Sequence, residues 1–180
     1  MTWIDEVLRF WFSELVPEDW FAVNETVDEA IGARFGELYR EMKRAPPAPS
    51  ALDGRGHLAA VIVFDQFSRN LFRHTPHAFA TDTLALSFSL HAVEHGMDEG
   101  LDRHERQFLY MPFMHCEDAM TQELSLKLFT ALDLPDALRS ADAHKDIIGR
   151  FGRFPYRNRA LGRVSTAAEE AFLKTQPHWP

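Results

Sequence analysis

The run Leu58-Ala59-Ala60-Val61-Ile62-Val63-Phe64 has no polar side, and Phe67 carries that character past Asp65 and Gln66. A helix that is apolar all round must be buried, so this element is predicted at the centre of the fold with the rest packed around it. Seven apolar residues fall far short of the roughly 20 needed for a membrane span. Asp65 follows the run directly and is therefore predicted to be at least partly buried. A carboxylate in that position needs a cation or several hydrogen-bond donors.

The surrounding sequence reads almost entirely as helix. Thr2 with Asp5 can cap a first helix whose stripe is Ile4, Val7, Leu8, Trp11 and Leu15. Trp20 and Phe21 fall in the loop that follows. Thr26 with Glu29 is a capping-box pattern for a helix bearing Ile31, Phe35, Leu38 and Met42 on one side. Ala45 to Ser50 is the only proline-rich stretch, short enough to be a connection between helices. Ser50 with Asp53 can begin the central helix. Thr75-Pro76 is a further helix-start signal. Helices are predicted over roughly 82–95, closed by Gly96, and over 102–110, stopping near Pro112. Two more cover about 115–132 and 136–151, and Thr166 with Glu169 caps a short last helix ending near Lys174. The expectation is a single all-α domain over residues 1–180, with about eight helices packed as antiparallel pairs, no strand and no fixed-period repeat.

Composition fits this. In 180 residues 46% are hydrophobic and fifteen are Phe, which suits a packed interior rather than disorder. The single cysteine, Cys116, excludes an intramolecular disulfide and a cysteine metal cluster. Asp5 and Glu6 near the start oppose a secretory signal, and a cytoplasmic location is expected. A net charge of −8 argues against an extended nucleic-acid track.

Against that acidic background, residues 149–163 read G-R-F-G-R-F-P-Y-R-N-R-A-L-G-R, with Arg150, Arg153, Arg157, Arg159 and Arg163, and no Asp or Glu occurs from Ile147 through Ala168. Arginine's planar fork of donors suits carboxylates and phosphates. Two other segments concentrate polar groups among apolar ones: Asp65-Gln66-Phe67-Ser68-Arg69-Asn70, and Tyr110 through Asp118, where His115 and Asp118 at a spacing of three share a helical face while Glu117 points elsewhere. His144-Lys145-Asp146 leads into the arginine run, with Asp146 and Arg150 as an i,i+4 pair.

These segments, with Phe10-Trp11-Phe12, Trp20-Phe21 and Leu161-Gly162-Arg163-Val164-Ser165-Thr166, resemble the bacterial family catalogued as domain of unknown function 924, over roughly residues 5–175. That family usually reads D-Q-F-P-R-N where this chain has Ser68, has Ser where this chain has Cys116, and F-P-H-R-N where this chain has Tyr156. The resemblance implies an all-helical fold of the tetratricopeptide-like superhelical type and no known activity. Histidine's replacement by Tyr156 counts against an obligatory acid, base or metal ligand at that position.

Three readings compete over these residues. In one, Asp65, Asp118 and Asp146 pair with Arg69, Arg150, Arg153 and Arg157 in an internal ion network that fastens the loop from Gly152 to Ser165. In the second, surplus arginines face a cavity that holds an anionic small molecule or a peptide carboxylate. Its contacts would be Arg69, Arg150, Arg153 and Arg157, with Asp65, His115, Asp118, His144 and Asp146 as the helix-end groups, and Asn70 and Asn158 at the rim. In the third, His115 with Asp118, or His144 with Asp146, serves as a general base with an orienting carboxylate. His91-Ala92-Val93-Glu94-His95 matches H-x-x-E-H, but a histidine in a last helical turn is well placed against the helix dipole without metal. No cofactor and no metal site is expected, and a homodimer face built from aromatics is left open.

Overall fold

The computed structural model describes residues 2–175, and the described residues contain no strand. Helix α1 (Trp3–Arg9) starts at the Thr2/Asp5 capping box and continues as a π-helical stretch over Phe10–Glu14. Helix α2 (Glu25–Arg44) follows, then the central rod, made of α3 (Gly54–Val61), a π-helical stretch Ile62–Phe67 and α4 (Ser68–Leu71). Next come α5 (Asp82–Glu94), α6 (Arg103–Met114), α7 (Ala119–Ala131), α8 (Pro135–Phe151) and α9 (Ala167–Thr175). Because α3 and α4 belong to one rod, these segments form the eight helical bodies expected. Helix α3 packs on α5 and α6, and α7 packs on both α6 and α8, so neighbours in sequence are mostly neighbours in space.

The central rod is as buried as its composition demands, with every residue from Gly56 through Ser68 in the interior. The π-helical turns matter here. A π insertion adds a residue to the turn and rotates the side chains beyond it. It places Asp65 and Gln66 inside together with Phe64 and Phe67. The stretch ends at Ser68, whose Oγ donates to the Phe64 carbonyl at 2.7 Å.

Aromatic rings from four elements pack around the rod. Trp11 meets Phe67 at 5.8 Å and Phe108 at 5.5 Å between centroids, and Phe35 stacks on Phe67 at 4.9 Å. A separate small cluster of Ile147, Ile148, Phe154 and Phe172 gathers the end of α8, the following loop and α9. The candidate site lies where this cluster meets the main body.

Four boundaries differ from the sequence expectation. Asn24, not Thr26, caps α2, its Oδ1 accepting from the Thr26 and Val27 N–H groups. Asp53 rather than Ser50 caps α3, accepting from the Gly56 N–H at 2.8 Å. Helix α6 runs through Pro112 to Met114. Proline removes one hydrogen bond, yet every residue from Phe108 to Met114 is buried, and packing outweighs a loss so close to the helix end. Helix α7 begins at Ala119, with Asp118 as its cap accepting from the Thr121 N–H at 2.8 Å. Residues 115–117 are therefore a turn between helices. Gln122 fastens that turn, its Nε2 donating to the carbonyls of Met114 at 2.7 Å and Cys116 at 2.8 Å.

Candidate functional site

Asp65 is the anchor of the site. It is fully buried; Oδ1 accepts from His115 Nδ1 at 2.8 Å and forms an ion pair with Arg69 Nη1 at 3.0 Å, Oδ2 accepts from Gln66 Nε2 at 2.6 Å, and the Asp65 carbonyl accepts from Arg69 Nη1 at 2.6 Å. Burial alone would raise its pKa; the charge of Arg69 and the bond from His115 outweigh it and hold the carboxyl well below the usual range. His115 sits at the C-terminal end of α6 with its side chain 11% exposed. Burial lowers its pKa, the Asp65 carboxylate opposes that, and Arg69 and Arg157 push it further down. Since the carboxylate can only accept, the neutral ring carries its proton on Nδ1.

Asp82, in the first turn of α5, ties the arginines together. Arg69 reaches it with Nη1 at 3.0 Å and Nη2 at 3.2 Å, and Arg157 reaches the same carboxylate with Nη1 at 3.0 Å. Arg157 Nη2 donates to the His115 carbonyl at 3.0 Å. The Arg157 guanidinium carbon lies 4.6 Å from the Phe79 ring centroid and 4.8 Å from that of Phe154, cation–π contacts that offset part of the cost of burial. Its Nε, fully buried, has no hydrogen-bond partner among the described residues.

The rest of the arginine run is mostly fastening. Arg153 forks onto Glu169, with Nε 2.6 Å from Oε1 and Nη2 2.8 Å from Oε2. That bond first, and the Thr166 N–H with it, hold the Glu169 carboxyl down at about 2. Arg163 forks onto Glu117 at 2.7 and 2.9 Å, and the Phe154 N–H donates to the same carboxylate at 2.7 Å. Asn158 is buried; its Nδ2 donates to Ser165 and Glu169, and its Oδ1 accepts from Arg163. Arg150 is exposed over the rings of Phe151 and Phe172, and Arg159 is exposed in the loop.

Of the residues singled out in sequence, Asp65, Arg69, His115 and Arg157 come together, with His144 next to them at 6.1 Å between its ring centroid and that of His115. The partners differ from those the spacing predicts. His115 pairs with Asp65 from the central rod and not with Asp118, because the turn at 115–117 separates them and Asp118 caps α7. Asp146 is exposed on α8 and forms no ion pair with Arg150 among the described residues. His144 donates from Nδ1 to the Ser140 carbonyl at 2.7 Å, and burial chiefly, then the neighbouring His115, lowers its pKa to about 3. Asn70 turns away, its Nδ2 donating to Asp28 at 2.7 Å beside Arg73. The acids that meet the arginines are thus Asp65, Asp82, Glu117 and Glu169. Glu117 points away from the site only along a continuous helix, which the turn interrupts, and Glu169 signals no more than a cap in sequence.

His91 and His95 stack at 4.1 Å, but His91 Nδ1 bonds His57 Nε2 at 3.1 Å and His95 Nδ1 bonds the His91 carbonyl at 2.8 Å. Among the described residues no three such groups are placed to hold a metal ion. One surface cleft of about 520 Å³ is bordered by Arg150, Phe151, Arg153, Thr166, Ala168 and Glu169, and another of about 330 Å³ lies between α1, Arg55 and Glu105. The Asp65 cluster borders neither of these, and its most exposed members are Arg69 and Asp82, at 21% and 19%.

The buried Asp65–Arg69 pair, the His115 turn and the arginine loop that closes on them belong to one stretch of chain. Residues 7–177 match the family described as bacterial protein of unknown function (DUF924). This chain belongs to that family. The solved structure of a protein of unknown function from Agrobacterium tumefaciens is similar over 96% of this chain and 97% of its own, with 34% identity and a TM-score of 0.90. No curated protein matches. Ser68, Cys116 and Tyr156 all lie near the cluster. Ser68 closes the π turn. Cys116 is half-buried beside Arg157, its thiol pKa raised by burial. Tyr156 stacks on Phe154 at 5.3 Å. No helix among the described residues is long and apolar enough to cross a membrane.

Proposed function

We propose that this protein is a binding module for an anionic small molecule or peptide carboxylate, taken up where Arg69, Arg157 and His115 converge over Asp65. The observation that carries this reading is Arg157. It is 5% exposed, lies over the rings of Phe79 and Phe154, and keeps a buried Nε–H without a partner among the described residues. A buried donor left unmade costs about 1–3 kcal/mol, which an incoming oxyanion recovers. Asp82 answers both Arg69 and Arg157, so one carboxylate serves two forks and a ligand oxygen can relieve it of one.

Thermal unfolding in phosphate, sulfate or a dicarboxylate, compared with chloride at equal ionic strength, tests it. At ten times Kd the stabilisation is about 1.4 kcal/mol, or roughly 3–6 °C for a chain of this size. The shift should vanish in Arg157→Met and persist in Arg150→Ala. A melting temperature insensitive to every anion tried would sink the proposal.

The 2.8 Å bond from His115 Nδ1 to Asp65 favours a second reading, an enzyme with His115 as general base. It predicts that His115→Asn, whose amide can still donate to Asp65, folds normally but loses a turnover found by substrate screening.

A further inference from the structure

The H-x-x-E-H stretch at the end of α5 plays no part in the anion site, yet hydrogen bonds fix where its two imidazoles carry their protons. His57, wholly buried on α3, has Nδ1 2.8 Å from the Asp53 carbonyl, which can only accept, so that nitrogen is the donor. Among the described residues no carboxylate is bonded to this ring, and burial keeps a second proton off it, so its Nε2 holds a lone pair. His91 Nδ1, 3.1 Å from that lone pair, must then donate to it. His95 Nδ1 donates in turn to the His91 carbonyl at 2.8 Å. Both rings are left with a lone pair on Nε2, and among the described residues nothing donates to either. The two nitrogens of an imidazole point well apart, so half-buried His91, with its Nδ1 edge against buried His57, turns Nε2 outward. His95, one helical turn on, is exposed, and its ring stacks on that of His91 at 4.1 Å with the planes 16° apart.

We infer that His91 and His95 form an open chelate for a divalent transition-metal ion of the imidazole-binding class, copper before zinc, each giving its Nε2 lone pair while water fills the remaining positions. A histidine that binds metal through one nitrogen ordinarily gives its other N–H to an acceptor that holds the ring, and both rings already do so. At metal–nitrogen distances of about 2.0–2.1 Å, two nitrogens on one ion lie about 3 Å apart. A modest rotation of the exposed His95 ring out of the stack brings its Nε2 to that separation. The surroundings favour a cation. The pair sits at the C-terminal end of α5, the negative end of the helix dipole. No Lys or Arg occurs from His74 through Asp102, while Glu94, Asp98 and Glu99 lie in and just after the same turn. Two protein ligands instead of four make this an exchangeable site on which the fold does not depend. It stands apart from the anion site and shares no residue with it.

Isothermal titration of the untagged full chain with divalent copper, zinc and magnesium at about pH 7.5 tests this, since metal and proton compete for the same lone pairs. Copper should bind most tightly, zinc more weakly, and magnesium, which takes oxygen ligands, should not bind. His95→Ala removes one of the two donors and should weaken copper binding by roughly tenfold or more, the least that the loss of even an outer partner costs. His77→Ala, beyond the opposite end of α5, should leave it unchanged. In the wild type, substoichiometric copper should broaden amide resonances around residues 91–95 first, a readout that needs no variant. Absence of copper binding overturns the inference. So does a folded His95→Ala protein that binds copper as tightly as wild type, or an equal loss in His77→Ala. If His95→Ala does not fold, the broadening decides: centred on residues 91–95 it upholds the chelate, and centred elsewhere it overturns it.

Discussion

Mild acid should weaken this protein through His144, and the size of the effect can be worked out. The ring is buried on α8, donates from Nδ1 to the Ser140 carbonyl, and has its pKa lowered to about 3, chiefly by burial. In the unfolded chain a histidine titrates near about 6.5. The native pKa is the lower one, so the contribution is complete above the unfolded value and is lost as pH falls from there toward the native value. Over that window the unfolded chain takes up a proton that the native state refuses. Between roughly pH 7.5 and pH 5 the difference integrates to about 2 kcal/mol for this one group. His57 and His115 are shifted the same way by burial and add to the wild-type slope, so the informative quantity is a difference between two proteins. His144→Asn can keep the bond to the Ser140 carbonyl and cannot be protonated. Urea unfolding of both proteins at the two pH values should show the wild type losing about 2 kcal/mol more than the variant, or roughly 4–8 °C in melting temperature. Equal losses in both would refute the assignment of a buried, neutral His144.

Asp65→Asn leaves Arg69 and His115 facing an amide inside the protein and should cost about 3–5 kcal/mol, read as a fall of roughly 6–20 °C in melting temperature; an unchanged value would mean that the carboxylate is no anchor. Glu117→Gln removes the charge under Arg163 and weakens the acceptor of the Phe154 N–H, for a loss of about 1–3 kcal/mol. Amide exchange over residues 152–166 should quicken in that variant, and unaltered protection would argue that the loop is held by its apolar contacts alone. Gly152→Ala adds a methyl with nothing within 4 Å, at φ +67, so its expected cost of about 1–2 kcal/mol is backbone strain alone. A variant as stable as wild type in chemical denaturation would contradict that.

How much of the site is legible in sequence depends on where each partner lies along the chain. The burial of Asp65 and its need for a cation stem from its place after seven apolar residues, and Arg69 is one helical turn away. The arginine run and the Thr166/Glu169 cap are likewise local signals. Asp82 gives no such signal. It is one acid among twenty-seven acidic residues in the chain, and its role arises because α5 packs against the central rod while the loop after α8 returns over it. The spacing of His115 and Asp118 misleads for a related reason: it presumes a helix where the chain turns, and the turn is set by Gln122 reaching back to three carbonyls.

By itself, then, the sequence determined the helical class, the central position of residues 58–67, most helix starts and the identity of the buried carboxylate. Each of these depends on periodicity or on groups within about one turn of each other, where covalent spacing dictates who can meet. The tertiary structure alone decided which acid answers which arginine. Ion pairs at separations of 16, 46 and 75 residues, Arg153–Glu169, Arg163–Glu117 and Arg157–Asp82, depend on how helices cross and on a π turn that reorients Asp65. Charge attracts at any such separation, and only packing in three dimensions selects the partner.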